Sequence, residues 1–152
     1  MAEPRFRSLG DIIAFAIGRE IEAADGYGGL AEQASTPGLR DLLLELKGEE
    51  ENHRRLLETM TAGQWGEAVA PVEDMGLSDA LADVPFSPDM TFQELLIFAA
   101  RKETKAAELY AGLAGRPEAA AYRKVFEFLA GQERTHKAKL ETEYEKHVLT
   151  ED

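Results

Sequence analysis

The stretch EENHRRLLET, residues 50–59, returns in altered form as ERTHKAKLET, residues 133–142. Both contain a glutamate followed three positions later by a histidine, and residues three apart lie on the same face of a helix. Both also belong to apolar patterns with steps of three and four residues, which are typical of the face that a bundle helix turns toward its neighbours. The two stretches therefore predict an all-α protein with polar groups in its core.

The similarity between the two halves of the chain extends well beyond these stretches. A shift of eighty-three residues aligns the halves over fifty-one positions without a gap, and seventeen of the pairs are identical. Glu20 then aligns with Glu103, and Tyr27 aligns with Tyr110. Such an internal repeat predicts two related helical hairpins that pack about a pseudo-twofold axis.

Capping and turn signals divide the chain into four predicted helices. Thr36 and Pro37 are typical of an N-cap and a first helical position, and Thr91 with Glu94 has the pattern of a capping box. The predicted helices cover about residues 9–34, 37–61, 91–114 and 117–147. Short links make two antiparallel hairpins, and a long crossover at about residues 63–90 connects the second helix to the third, as in some four-helix bundles.

Length and composition limit the possible classes of protein. The 152 residues suffice for one domain, which we expect to span residues 1–152. The chain has no cysteine, which excludes intrinsic disulfides, iron–sulfur clusters and thiol catalysis. A net charge of −12 disfavours nucleic acid and anionic membranes as partners. No apolar run is long enough for a membrane span, and the first residues lack a secretion signal, so we expect a cytoplasmic protein.

Each predicted helix carries an acidic residue, or an acidic residue and a histidine, near the middle of its apolar face. The six residues are Glu20, Glu50, His53, Glu103, Glu133 and His136. Four buried carboxylates carry four negative charges, which two divalent ions would neutralise. Without the ions, the site would bury like charges at a high cost in desolvation, or it would take up protons. The set therefore predicts a two-metal site, and its mixed oxygen and nitrogen ligands suit iron, manganese or zinc.

Each of these residues also has a less specific explanation. A single Glu-x-x-His pair is more often a solvated helix face, and a single tyrosine such as Tyr27 or Tyr110 is more often a core residue. Two of the three histidines nevertheless lie in the motif at the repeat spacing, whereas His147 is expected at the surface. Five acidic residues beside the apolar faces are expected to be solvated: Glu22, Asp25, Glu49, Glu51 and Glu108. Three glycines near Tyr27 either leave room for an oxidant or allow close helix packing, which we favour: Gly26, Gly28 and Gly29.

In this combination of residues, the chain resembles the rubrerythrin-like branch of the ferritin-like superfamily and, more distantly, the bacterioferritins. The resemblance extends from Leu9 to about Glu143 and implies a ferritin-like four-helix bundle. It implies that two glutamates bridge two iron ions, Glu50 and Glu133. It also implies two terminal ligands for each iron, namely Glu20 with His53 and Glu103 with His136. Tyr27 and Tyr110 would hydrogen-bond ligand carboxylates from outside the ligand shell.

The resemblance implies a non-haem di-iron oxidoreductase whose diferrous centre reacts with hydrogen peroxide or O2, as in peroxide detoxification. Its partners would be a separate electron donor, such as a rubredoxin-like protein, and further copies of the chain in a homodimer or larger homo-oligomer. The chain lacks a cysteine-rich rubredoxin domain, and Ala106 occupies the position of an additional glutamate of rubrerythrins. The six-ligand set is thus closer to that of bacterioferritin, although the methionine that binds haem there is absent. A ferroxidase with a role in iron handling and a structural metal-binding module remain alternatives, and a substrate hydroxylase is a more remote one.

Overall fold

A computed structural model of the protein describes residues 9–61 and 90–150. This part of the chain consists of helices and contains no strand. The α-helices are α1 (Leu9–Gln33), α2 (Pro37–Thr61), α3 (Phe92–Ala114) and α4 (Arg123–Thr150), and a 3-10 helix (Pro117–Tyr122) precedes α4. The all-α prediction is confirmed, whereas the predicted crossover lies outside the described residues except for its last position. None of the described helices has the length and apolar composition that crossing a membrane requires.

The predicted starts of α2 and α3 are confirmed by their capping contacts. The Thr36 hydroxyl accepts a hydrogen bond from the Leu39 amide at 3.2 Å. At α3, the Thr91 hydroxyl accepts from the Glu94 amide at 3.1 Å, and the Glu94 carboxylate accepts from the Thr91 amide at 2.8 Å. These contacts satisfy amides that have no partner within the helix, and they fix where each helix begins.

The prediction of a single α-helix over residues 117–147 is wrong at its beginning. Pro117–Tyr122 forms a 3-10 helix, in which the Ala119 amide bonds to the Arg116 carbonyl three residues earlier at 3.0 Å. Proline at the first position favours the start of a helix, but it is compatible with the hydrogen bonds of a 3-10 helix as well as with those of an α-helix. The tighter 3-10 turn is common at helix N-termini, and here it follows a two-residue link from α3. The α-helix itself extends to Thr150.

Two apolar core clusters show how the helices are oriented. One cluster joins the beginnings of α1 and α4 to the ends of α2 and α3, and the other joins the opposite ends of the same helices. The first includes Leu9, Ile12, Ile13, Leu57, Leu109, Leu113, Phe126 and Leu129. The second includes Leu30, Leu39, Leu43, Leu46, Leu95, Leu96 and Leu140. Consequently α1 is antiparallel to both α2 and α3, α4 is antiparallel to both as well, and the middle of every helix lies between the two clusters.

Candidate metal centre

The structure brings together all six residues that interrupt the predicted apolar faces. Their side chains lie in the middle of the helices, between the two apolar clusters, and none is more than 3% exposed. They are Glu20 from α1, Glu50 and His53 from α2, Glu103 from α3, and Glu133 and His136 from α4. Burial of six ionisable side chains in one layer is costly unless each one is paired, protonated or bound to a cation.

These residues form two overlapping groups, and each group could hold a metal ion. In both groups, one potential ligand atom from each residue lies within 4.8 Å of those from the other members. The first group is Glu20, Glu50, His53 and Glu133. The second group is Glu50, Glu103, Glu133 and His136. Glu50 and Glu133 belong to both groups, so the two candidate sites share these two carboxylates.

Several buried atoms of the first group lack a hydrogen bond within the described part of the chain. They are one carboxylate oxygen (Oε1) each of Glu20, Glu50 and Glu133, and Nδ1 of His53. The His53 Nδ1 is 3.0 Å from Glu50 Oε1, which is close enough for an ion pair but lacks hydrogen-bond geometry. A buried polar atom without a partner costs about 1–3 kcal/mol. One cation among these atoms would satisfy all four, so the residues fit a metal ion.

The two histidines present their Nδ1 atoms to the cluster but differ at Nε2. His136 Nδ1 lies 3.0 Å from Glu103 Oε2, while its Nε2 lies 2.5 Å from Glu49 Oε1. The Nε2 of His53 is buried without a hydrogen-bond partner among the described residues. In the internal repeat, Gln132 takes the position that corresponds to Glu49. The two halves therefore hold their imidazoles differently.

The contact of Glu49 corrects the prediction that this residue is solvated. Its side chain is 31% exposed, but its carboxylate reaches across from α2 to the histidine of α4. The residue was missed because it precedes Glu50 and therefore lies at the edge of the apolar face. Its position directly before a Glu-x-x-His pair was the available signal, since a ligand histidine commonly donates its second N–H to a nearby carboxylate.

The two tyrosines connect the two halves of the structure through hydrogen bonds to glutamates of the cluster. The Tyr27 hydroxyl donates to Glu103 Oε2 at 2.5 Å, and the Tyr110 hydroxyl donates to Glu20 Oε2 at 2.5 Å. Burial is the main cause that raises the pKa of each phenol well above its usual value, and the adjacent carboxylate is the next, Glu103 for Tyr27 and Glu20 for Tyr110. Both tyrosines therefore remain neutral donors that orient a carboxylate contributed by the opposite hairpin.

Protons can stabilise the cluster in the absence of a metal. Burial is the main cause that raises the pKa of Glu50 to about 8, and the negative charge of Glu103 is the next. Burial acts in the opposite direction on the imidazoles, but contacts with Glu20 and Glu50 raise the pKa of His53 to about 10. Contact with Glu103 likewise outweighs burial and raises the pKa of His136 to about 9. Because metal ligands must lose these protons, metal binding at neutral pH would release them.

A cavity of about 370 Å³ adjoins the cluster between α1 and α3. Its inner end is formed by the four glutamates of the cluster together with Tyr27 and Tyr110. No histidine is among the described residues that line it, so it adjoins the carboxylates on the side away from the imidazoles. Most of its remaining wall is apolar, including Leu30, Leu95 and Phe98.

The fold and the cluster define a class of protein, namely an all-helical protein with a buried glutamate–histidine site that could hold metal ions. No protein-family model and no curated protein matches the chain. Among solved structures, the chain is similar to a hypothetical protein from Pyrococcus furiosus, with a TM-score of 0.72 and 27% sequence identity. The match covers 91% of this chain and 89% of that one, so the similarity extends over nearly the whole helical fold.

Proposed function

We propose that the protein is a non-haem di-iron oxidoreductase of the rubrerythrin-like branch of the ferritin-like superfamily. The observation that carries the proposal is the pair of overlapping ligand groups that share Glu50 and Glu133. Each ion would have these two bridging carboxylates, one further carboxylate and one imidazole. Glutamates from two helices with Glu-x-x-His pairs from the other two are the ligand set of two-metal carboxylate bundles.

The antiparallel relation of α1 to both α2 and α3 supports a ferritin-like topology. It makes α2 and α3 parallel, as they are in bundles whose second and third helices are joined by a crossover connection. Each hairpin then supplies one terminal carboxylate, one bridging carboxylate and one imidazole. The repeat in the sequence and the equivalent positions of the two ligand sets agree with this arrangement.

The chain's own residues would hold the ions and fix the ligand geometry. Glu50 and Glu133 would bridge, while the hydrogen bonds from Tyr27 and Tyr110 would keep the terminal carboxylates Glu103 and Glu20 in position. Two ferrous ions bound there would supply one electron each, which together with two protons reduces one hydrogen peroxide to two waters. The cavity between α1 and α3 offers an approach to the carboxylate side of this centre.

The proposal also includes partners for the reaction. With no cysteine, the chain has no rubredoxin-type site of its own. Electrons would therefore come from a separate donor, such as a rubredoxin-like protein, and a cytoplasmic homodimer or larger homo-oligomer would be the working form. Iron is the proposed metal, and manganese or zinc would suit the same ligands.

A ferroxidase with a role in iron handling is the second candidate, and Ala106 favours it. This residue lines the cavity beside the cluster where rubrerythrins carry a further glutamate, and its repeat partner Ala23 also lines the cavity. The site then has the six-ligand set that resembles bacterioferritin. Storage would require a cage-forming assembly, so the mass of the assembly in solution separates storage from a dimeric enzyme.

The test of the proposal is anaerobic loading with Fe(II), followed by rapid mixing with hydrogen peroxide and with O2 in parallel. We expect two Fe(II) per chain and rapid oxidation by at least one oxidant, seen as ultraviolet absorbance of the ferric form. Preference for peroxide would indicate a peroxidase, and preference for O2 would indicate ferroxidase chemistry.

The control pair for this experiment is Glu50→Ala and Glu51→Ala. Glu50 belongs to both ligand groups, so its loss should abolish two-metal binding in a protein that remains helical. The Glu51 carboxylate pairs with Lys47 at 2.7 Å outside the cluster, and its loss should change nothing. Two results together would overturn the redox proposal and favour a structural metal site. The iron-loaded protein would react with neither oxidant, and the protein purified from cells would contain zinc.

A further inference from the structure

The cavity between α1 and α3 is much larger than a small oxidant requires. Its volume is about 370 Å³, whereas one water occupies about 30 Å³ of liquid and an apolar cavity of about 150 Å³ already holds benzene. Hydrogen peroxide and O2 are close to water in size, so either would fill only a small part of this space. The volume lies in the range of pockets that bind small organic ligands.

The cavity exists because small residues occupy the facing surfaces of α1 and α3. Ala23 and Gly26 on α1 and Ala99 and Ala106 on α3 contribute to its wall. A Cβ added at Gly26 would meet no other atom within 4 Å, so close helix packing does not explain this glycine. At Gly26 the structure therefore does not support the expected explanation, which was close helix packing.

Gly28, unlike Gly26, has a neighbouring side chain close to it. There an added Cβ would approach the Lys47 side chain to 3.2 Å. The glycines of α1 thus have different roles, and only Gly26 lines the cavity.

The lining of the cavity favours an uncharged ligand over an anion. The two phenols at its inner end already donate to Glu20 and Glu103, and most of the remaining wall is apolar. An anion would lose its hydration against this wall, which is costly without new hydrogen-bond partners. An uncharged ligand would instead gain from burial there.

The outer rim of the cavity is polar and follows the internal repeat. Arg19 and Lys102 occupy equivalent positions in the two halves, and their charged groups lie over the rings of Phe15 and Phe98 at 5.7 and 5.4 Å from the ring centroids. Lys102 also pairs with Glu22 at 3.1 Å. A polar rim around an apolar interior is the usual construction of a site for a small organic molecule.

We infer that this cavity binds a small, uncharged, predominantly apolar organic molecule, of the size of one or two fused rings, directly beside the carboxylates. The inference deepens the proposed function and rests on it for the identity of the neighbouring centre. It gives the site an organic ligand in addition to the oxidant, and it gives a physical reason for small residues at Ala23 and Ala106.

The test uses the full-length, zinc-loaded protein, because zinc fills the site without redox chemistry. Binding of 5-fluoroindole would be followed by fluorine NMR. We expect saturable binding to the unmodified protein and a loss of affinity of at least about tenfold in Gly26→Leu, which adds a bulky side chain at the exposed edge of the cavity wall. Gly29→Leu is the matched control, since it makes the same change on the same helix where an added Cβ also meets no other atom. It should bind as the unmodified protein does.

A second variant and a second probe make the outcome decisive. Ala106→Leu fills the cavity from α3, and it should show the same loss of affinity if Gly26→Leu does not fold. The anionic probe, 5-fluoroindole-2-carboxylate, should bind to the unmodified protein at least about tenfold more weakly than the neutral probe. Absence of saturable binding, or equal binding by Gly26→Leu and Gly29→Leu, would overturn the inference. Zinc stoichiometry and peroxide reactivity are measured separately, so failure of the metal proposal is recognised independently of failure at the cavity.

Discussion

At the scale of single residues, Glu49 and Gln132 distinguish two ligand sets that are otherwise closely related. Glu49 accepts from the outer nitrogen of His136 at 2.5 Å, whereas the corresponding nitrogen of His53 has no partner among the described residues. A carboxylate acceptor fixes the orientation of an imidazole and makes it a stronger metal ligand. In the proposed two-metal centre, the two positions should therefore differ in affinity, with the tighter ion beside His136.

Replacement of Glu49 tests this difference. We expect Glu49→Ala to weaken the tighter of the two zinc-binding steps by about 10–100-fold, which is typical of a lost hydrogen-bond partner of a ligand. The other step should change little, because Glu49 has no contact with His53. Competition titrations of zinc against a fluorescent chelator would resolve the two steps.

Two further variants serve as controls for this prediction. Glu51→Ala should leave both steps unchanged, since its carboxylate pairs with Lys47. Gln132→Glu should strengthen the weaker step, because it places a carboxylate at the equivalent position of the other half. Equal weakening of both steps in Glu49→Ala would contradict a role specific to His136.

The residue scale also shows what a sequence pattern can and cannot reveal. The six clustered residues were predictable because each interrupts an apolar helical face, and because the repeat places them at equivalent positions. The contact of Glu49 was not predictable, because a residue at the edge of an apolar face can point either to solvent or to a neighbouring helix. Only the packing of α2 against α4 decides between these two directions.

At the scale of the helices, local sequence signals were sufficient to predict a helix start where an N-cap side chain bonds to the backbone of the first turn. Thr36 and Thr91 begin α2 and α3 as predicted, because their hydroxyls accept amide hydrogens within their own segment. The 3-10 start before α4 was not predictable, because Pro117 is compatible with either kind of helix. The spacing of its hydrogen bonds depends on how the short link from α3 places α4.

The capping box at the start of α3 should contribute measurably to stability. We expect Thr91→Ala to lower the free energy of unfolding by about 1 kcal/mol, because the Glu94 amide loses its acceptor. Urea denaturation of the metal-free protein would measure the change. Thr142→Ala is the matched control, since the Thr142 hydroxyl donates to the Ala138 carbonyl within α4 and lies inside the helix rather than at its start. An equal loss in both variants would exclude a specific capping effect.

At the scale of the whole molecule, the cavity could not be predicted from the sequence. Alanine and glycine on the facing surfaces of two helices are equally compatible with close packing and with an open space. The distance between α1 and α3 decides the outcome, and that distance depends on all four helices and on the polar layer between the two core clusters. The orientation of the helices was predictable, because two short links and a repeat leave few arrangements.

The protonation of the cluster makes a prediction for the stability of the entire metal-free protein. Glu50 has a pKa raised from 4.5 to about 8, and His53 and His136 have pKa values raised from 6.5 to about 10 and about 9. Each group thus binds its proton more tightly in the folded protein than in the unfolded chain. Its contribution to the free energy of unfolding is therefore complete at pH values below the pKa of the unfolded chain, and it is lost as the pH rises through the pKa of the folded protein. Stability should therefore fall between roughly pH 5 and pH 10.

Thermal unfolding followed by circular dichroism across this pH range would measure the effect, with a chelator and with excess zinc. The midpoint of the metal-free protein should fall as the pH rises, and the stabilisation by zinc should increase, because zinc competes with the same protons. Glu50→Gln should flatten the metal-free profile in the lower part of the range. A metal-free midpoint that rises with pH would contradict the assigned protonation.

The central proposal is that the six buried residues would hold two metal ions, and crystallography of the iron-loaded protein tests it most directly. An anomalous difference map at the iron absorption edge should contain two peaks per chain inside the cluster. Glu50 and Glu133 should contact both peaks, and each peak should have one histidine nitrogen at about 2.1 Å, the distance usual for a metal–imidazole bond. A single peak, or peaks outside this layer, would contradict the account.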